Sequence, residues 1–270
     1  MRKNGSLVFG GALIGIVVAM AVVSLFWTPF PPAAISGDLA APPGWPHVLG
    51  TDGFGSDVLS RLMIGARMCL LVGIVSVAGA ALVGVPLGIF AGMTRGWVSE
   101  VPSRLSDVLY GFPALLLAIL FAAALGGSTW TAMLAVGVST IPAFVRMARA
   151  GTLQVMSRAY VEAARVSGIS YRQIALRHVL PNISPLVGVQ ASVSFGIAIL
   201  AEAGLSYLGL GTGQGTPTWG RMLRDAQDYV FSTPMLALWP GLAIAVATLG
   251  FNVLGDGLRD LLDPRQRELT

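Results

Sequence analysis

The sequence predicts an all-α polytopic membrane protein with six transmembrane helices and both termini in the cytoplasm. Three observations carry that prediction. Hydrophobic residues make up 54% of the 270 residues and charged residues only 11%, against about 25% charge in an ordinary soluble domain. Five windows hold no charged side chain: Leu7–Trp27, Met68–Thr94, Val108–Val145, Val179–Ala201 and Val230–Gly255. A helix needs roughly 20 such residues to cross the hydrocarbon core, and the third window is long enough for two crossings, split by the turn-forming Gly126-Gly127-Ser128-Thr129. Finally, with the N-terminus inside, only Arg61, Arg67, Arg221 and Arg224 of the 17 basic residues fall outside, as the positive-inside rule requires.

Taken in order, Arg2 and Lys3 precede an apolar run longer than the roughly 7–15 residues of a signal-peptide core, so a retained first helix is expected. Pro29–Pro46, rich in Pro, Ala and Gly, reads as an extracytoplasmic loop. Val58, Leu59, Leu62, Met63 and Ala66 recur at helical spacing with Arg61 and Arg67 on the other side. That spacing predicts a short helix at the outer interface, with Asp57 suited to its N-terminus. The second crossing is expected over residues 69–91, the third over 106–125, the fourth over 131–149, the fifth over 185–205 and the sixth over 235–255. Residues 1–64 thus form an N-terminal unit with the interfacial helix, 65–256 a core, and 257–270 a charged tail. Small residues such as Gly73, Gly79, Gly84 and Gly88 suit close helix packing. Arg146 and Arg149 read as snorkelling anchors, and Trp219 and Trp239 as interfacial aromatics. Asp256, Asp260 and Asp263 alternate with Arg259 and Arg265 as local ion pairs.

One polar island, "YVEAARVSGISYRQIALRHVLPN" at 160–182, interrupts this apolar chain. Gln154–Ser167 is rich in helix formers, Gly168 sits where a left-handed residue closes a helix, and Ser170 with Gln173 spells a capping box. Pro181 is expected to stop the second helix before the fifth crossing. The result is a bent, stiff cytoplasmic elbow within residues 151–184. Glu162 stands at helical spacing from Arg158 and Arg165, so pairing of its carboxylate within the loop competes equally with pairing to a basic group on a docked protein.

The spacing of Glu162-Ala163-Ala164, Gly168, His178, Leu180 and Pro181 resembles the EAA loop of permease subunits of bacterial ATP-binding cassette importers. His178 stands where the general pattern often has isoleucine, and "HVLPN" (178–182) is similar to the peptide and nickel branch. So are "LGTDGFGSDVLSR" (49–61), "AEAGLSYLGLG" (201–211), "PTWGRML" (217–223) and "NVLGDGLRDLLDPR" (252–265), although Ser56 replaces that branch's usual arginine. The resemblance implies a type I importer transmembrane domain of the smaller permease kind, in the cytoplasmic membrane. Its expected partners are a homologous second permease, two ATPase domains seated on the elbow, an extracytoplasmic substrate-binding protein and the lipid bilayer. Its implied cargo is di- or oligopeptides, with nickel or glutathione as the alternative. ATP and magnesium would be held by the ATPase subunits, with no cofactor in this chain and no nucleic acid among the partners.

The residues themselves exclude several other chemistries. Lys3 is the only lysine and no phosphate-binding G-x-x-x-x-G-K-[ST] loop exists, so ATP hydrolysis is expected on separate chains. Asp107 and Asp256 lie near helix ends and His47 and His178 on opposite sides, which disfavours an intramembrane protease or a shared metal site. Cys69, the single cysteine, excludes an intrachain disulfide. An ion-gradient transporter would show internal pseudo-symmetry and mid-membrane ionisable groups, and a passive scaffold would need no ordered elbow. Glu202, near the outer end of the fifth crossing, is either a carboxylate hydrogen-bonded to nearby backbone or a polar contact on the translocation path.

Overall fold

The computed structural model describes residues 5–31, 34–211 and 215–262. Among these residues regular structure is helical, with one isolated β-bridge between Thr51 and Asp57. Helix α1 (Gly5–Phe26) packs along α10 (Met235–Leu262) and α2 (Val58–Met93). Among the described residues five helices or helical runs are long and apolar enough to cross a membrane, and one bent pair makes a sixth when counted as a single span.

The expected interfacial helix does not exist as a separate element. Asp57 caps a single helix of 36 residues, accepting hydrogen bonds from the Ser60 backbone and hydroxyl at 2.8 and 2.7 Å. No breaker intervenes between residues 58 and 68, so α2 runs on for about 54 Å at 1.5 Å per residue. Its first turns are buried against protein rather than lipid: Val58, Leu62, Met63 and Ala66 are all core residues. Farther along, Gly84 and Gly88 let α5 (Thr129–Met156) approach until backbone and β-carbons touch, whereas Gly79 faces open space.

The third crossing also departs from expectation. Residues 106–110 belong to α3 (Trp97–Tyr110), and α4 (Ala114–Leu125) leaves it at 87°. Pro113 disfavours helical geometry in its predecessor and itself takes an extended ψ of 130°, while the Gly111 N–H closes α3 on Asp107. With 12 residues, α4 spans about 18 Å, short of the roughly 30 Å hydrocarbon core. Counted together as one broken span, α3 and α4 supply the sixth candidate crossing.

Helix α5 begins at Ser128, whose hydroxyl accepts from the Thr131 N–H at 3.1 Å. It ends at Ser157, so residues 154–156 belong to the crossing and the elbow's first helix is the shorter α6 (Ala159–Val166). Then comes α7 (Tyr171–Ile174), followed without a stop by a π-turn (Ala175–Val179) and α8 (Leu180–Tyr207). Pro181 therefore does not end a helix. The π-turn lengthens the local hydrogen bond, so that the Leu180 N–H reaches the Ala175 carbonyl. Proline near the start of α8 then lacks only a donor that a helix N-terminus leaves unused.

On the outer side, α9 (Trp219–Asp225) lies over α8 and the start of α2. Trp219 is not interfacial but buried, and its Nε1 donates to the Leu62 carbonyl at 3.0 Å. Arg61, expected to face water, is half-buried between Asp52 and Asp225, the latter at 3.1 Å. Arg67 donates through Nε to the Ser24 hydroxyl at 2.6 Å. His47 contacts Asp57 at 3.0 Å, as a hydrogen-bonding loop residue should. Among the described residues Asp256, Asp260 and Arg259 form no ion pair, and Asp263 and Arg265 lie outside those residues.

Candidate functional site

The elbow is built from the backbone outward. Arg158 takes an extended conformation (φ −85°, ψ 140°) and starts α6. At the far end Gly168 has φ +79°, the left-handed region that glycine occupies without strain. Its N–H reaches the Arg165 carbonyl at 3.0 Å, and the Ile169 N–H reaches Ala164 at 3.1 Å. The expected capping box forms, with Ser170 and Gln173 exchanging side-chain and backbone hydrogen bonds at 3.4 Å.

Inward-facing residues anchor this turn to the helices above it. Val161, Ile174 and Val179 are wholly buried with Ile183, and Ala164 is nearly so. Tyr160 and Asn182, the two ends of the polar island and the latter the last residue of "HVLPN", tie the two arms together. Asn182 Nδ2 donates to the Tyr160 hydroxyl at 3.3 Å and to the His178 carbonyl at 2.7 Å, and the His178 ring lies 5.9 Å from that of Tyr160. Of the other predicted residues, Glu162, Ala163, Gly168 and Pro181 are exposed, while Leu180 is half-buried.

The two intraloop partners considered for Glu162 are not used. Among the described residues no ion pair includes it, and Arg165 instead lies over the Tyr171 ring at 5.4 Å. The carboxylate points to solvent next to Ala163, Val166 and Ile169, all exposed, and Val166 is 86% exposed. One acid beside an apolar strip is a surface of the kind another protein covers.

A second feature lies at the bend between α3 and α4. A cavity of about 590 Å³ is lined there by Tyr110, Ser139, Thr140, Arg146, Gln190 and Ser194, among others. Gln190 donates to Ser194 at 3.1 Å, and the Arg146 guanidinium stacks 3.6 Å from the Tyr110 ring centroid. Arg146, which is exposed, thus also forms an aromatic-stacked part of the cavity wall. Arg149 does not snorkel free, since its Nε is buried. Of the polar lining groups, Ser139, Thr140, Gln190 and Ser194 sit in the central turns of α5 and α8, where hydrocarbon would offer them no hydrogen bonds.

Glu202 is buried at 4% exposure beneath α9. Side chains satisfy it, not the backbone as the sequence suggested: Ser206 donates at 2.6 Å and Thr218 also hydrogen-bonds. Thr218 simultaneously caps α9 by accepting from the Arg221 N–H at 3.2 Å. Among the described residues no cluster of three metal-ligating side chains occurs.

Apolar crossings, a bent third crossing and a rigid cytoplasmic elbow define a multi-pass inner-membrane permease. The chain belongs to the binding-protein-dependent transport system inner membrane components, the family whose pattern matches residues 84–268. It is 40% identical to the dipeptide transport system permease protein of Alkalihalophilus pseudofirmus, covering 83% of this chain and 74% of the relative. It is 41% identical to the glutathione transport system permease protein of Pectobacterium atrosepticum, with the same coverages. Over 98% of this chain and 90% of the relative it is 38% identical to the probable D,D-dipeptide transport system permease protein of Escherichia coli. Among solved structures, a chain of the MetNI methionine ABC transporter in inward facing conformations superposes with a TM-score of 0.61 at 16% identity. That match covers 75% of this chain and 96% of the other, and it shows a shared type I importer fold. As a permease subunit of an ABC importer, the chain works with ATPase and substrate-binding components.

Proposed function

We propose that this chain is the smaller of two homologous permeases in an importer of di- or oligopeptides, and that it carries no catalytic group or cofactor of its own. Two ATPase domains, with their ATP and magnesium, grip the elbow from the cytosol, and residues 151–184 form the coupling segment. Glu162, Ala163 and Gly168 present the docking surface. Ala164, His178, Leu180 and Pro181 hold its shape and join it to α8. The observation that carries the proposal is continuity: helix runs from Tyr171 through the π-turn to Tyr207. The elbow and the polar cavity at Gln190 and Ser194 therefore belong to one rod. Closure of the ATPases around nucleotide tilts the rod, and the cavity then exchanges its inward opening for an outward one.

Peptide cargo is supported by the dipeptide permeases at 38–40% identity. Glutathione, itself a peptide with free carboxylates, is the second reading, favoured by the permease at 41% identity. Glu202 is proposed as a polar contact at the outer mouth, reached when α9 shifts. The residue division 1–64, 65–256 and 257–270 is retained as a functional division, with a core flanked by two accessory ends.

The test is reconstitution of the complete transporter with its own binding protein. Labelled dipeptide uptake and binding-protein-stimulated ATP hydrolysis are expected in the native complex. Both should be lost in Gly168→Pro and Glu162→Lys variants that still insert. Normal stimulation in both variants removes the elbow from coupling. Uptake of nickel chelates without peptides replaces the cargo assignment. Glu202→Gln with unchanged uptake and cargo preference removes Glu202 from the path.

A further inference from the structure

A cavity of about 860 Å³ belongs to neither feature described above. It opens beside the elbow, between the cytoplasmic end of α2, the start of α3 and the segment 171–180. Its wall on α2 is apolar (Val85, Ile89 and Phe90), and Leu176 and Leu180 face it from the other side. Its rim holds Arg95, Arg165 and Arg172, and no acidic residue lines it. Among the described residues none of these three arginines forms an ion pair. Arg165 is oriented instead by the Tyr171 ring.

We infer that this cavity binds one anionic phospholipid, with its phosphate among the three arginines and an acyl chain along α2. Depth and charge both select this occupant. From Arg95 back to Val85 the wall rises about 15 Å, from the point where the uncharged window ends at Thr94 into the level of the hydrocarbon. A water-soluble ATPase docks from below and does not reach that depth, whereas acyl chains fill it by default. The unpaired cations at its mouth then favour an anionic headgroup over a zwitterionic one, as basic pockets between transmembrane helices on the cytoplasmic side do. A lipid seated there touches both α2 and the root of the elbow. Membrane composition would thereby set how firmly the coupling rod is held.

The experiment uses the assembled transporter in nanodiscs of mixed phosphatidylglycerol and phosphatidylcholine. Native mass spectrometry reads the lipid retained as detergent and collisional activation strip the rest. Each basic side chain near an anionic lipid is worth roughly fivefold. The Arg95→Gln/Arg172→Gln double variant is therefore expected to retain phosphatidylglycerol about 25-fold less well than the native chain. Arg104→Gln is the control, because Arg104 is exposed and already paired with Glu100 at 3.0 Å, and it should retain lipid normally. A photoreactive residue at position 176 should form lipid adducts in the same nanodiscs. The inference is overturned if the double variant keeps phosphatidylglycerol as the native chain does, or if phosphatidylcholine is retained equally well. It is also overturned if the position-176 probe crosslinks to an ATPase subunit or the second permease instead of lipid.

Discussion

Gly168 offers the sharpest test of the elbow, because structure separates two effects that glycine substitutions usually mix. A β-carbon added there would meet nothing within 4 Å, so an alanine is not penalised by a clash. The backbone, however, sits at φ +79°, where an ordinary L-residue costs about 1–2 kcal/mol. Alanine should fall at the low end of that range and β-branched valine at the high end. Asparagine, which tolerates this region, should cost less than either. Proline cannot reach a positive φ and also removes the N–H bonded to Arg165, a cost of about 3 kcal/mol or more. If the bent elbow is what the ATPase grips, these costs appear as weakened docking. At 1.4 kcal/mol per factor of ten, Gly168→Ala and Gly168→Val should raise the ATPase dissociation constant by roughly 5- to 30-fold, and Gly168→Pro by more than 100-fold. The assay is titration of ATPase subunits onto reconstituted permease pairs, with peptide uptake as the functional readout. Unaltered docking of the valine variant would refute the reasoning. So would equal damage from asparagine and valine, since backbone conformation would then not be the cause.

Three further outcomes follow from packing and charge. Arg61→Met removes the cation shared by Asp52 and Asp225, leaving Asp225 only Arg221 at 4.0 Å and Asp52 its backbone donors at Phe54 and Ser56, and should lower stability by about 1–3 kcal/mol, read as a lower melting temperature in detergent. Asp225→Asn should cost less, because Arg61 keeps Asp52. Gly88→Leu would place a β-carbon 2.5 Å from the Val145 carbonyl and 2.6 Å from Ala148 Cβ. Forcing α2 and α5 apart should cost about 1–3 kcal/mol or more and reduce the folded yield. Gly79→Leu, facing open space, should leave that yield unchanged. Asp57→Ala removes both the cap of α2 and the partner of His47, and a loss of about 1 kcal/mol is expected in thermal unfolding.

The features legible in the sequence are those whose cause is local. Apolar windows of sufficient length became crossing helices, the Ser170–Gln173 capping box formed, and Gly168 took the left-handed conformation that its position suggested. Features set by distant residues were not legible. The periodicity of residues 58–66 is the same whether the helix lies on lipid or continues into α2, and burial by α9 decides between them. Arg61 looked like a water-facing cation because its partner Asp225 is 164 residues away. Pro113 and Pro181 look alike in sequence, yet one bends a crossing by 87° and the other lies in unbroken helix. The difference is where each proline falls relative to its helix. Pro113 precedes the first turn of α4 after a glycine turn, whereas a π-turn ahead of Pro181 takes up the mismatch.

That π-turn changes how force must travel. Had Pro181 ended the helix, the elbow would be joined to the fifth crossing through a flexible link, and ATPase motion would be absorbed there. Instead the helical run from Tyr171 to Tyr207 covers 37 residues, about 55 Å. The capped elbow lies at its lower end and Gln190 with Ser194 near its middle. Glu202 and Ser206 lie beneath α9 at its upper end. A π-turn puts the hydrogen bonds of such a rod out of register, as Pro185 interrupts them one turn further on, and such turns recur at functional sites. It therefore marks where the rod can flex without breaking, next to Ala175, Leu176 and Leu180, which line the arginine-rimmed cavity. The π-turn and the arginine-rimmed cavity share Ala175 and Leu176, so if the elbow couples to an ATPase as proposed, what fills that cavity would bear directly on how stiffly the stroke is passed on.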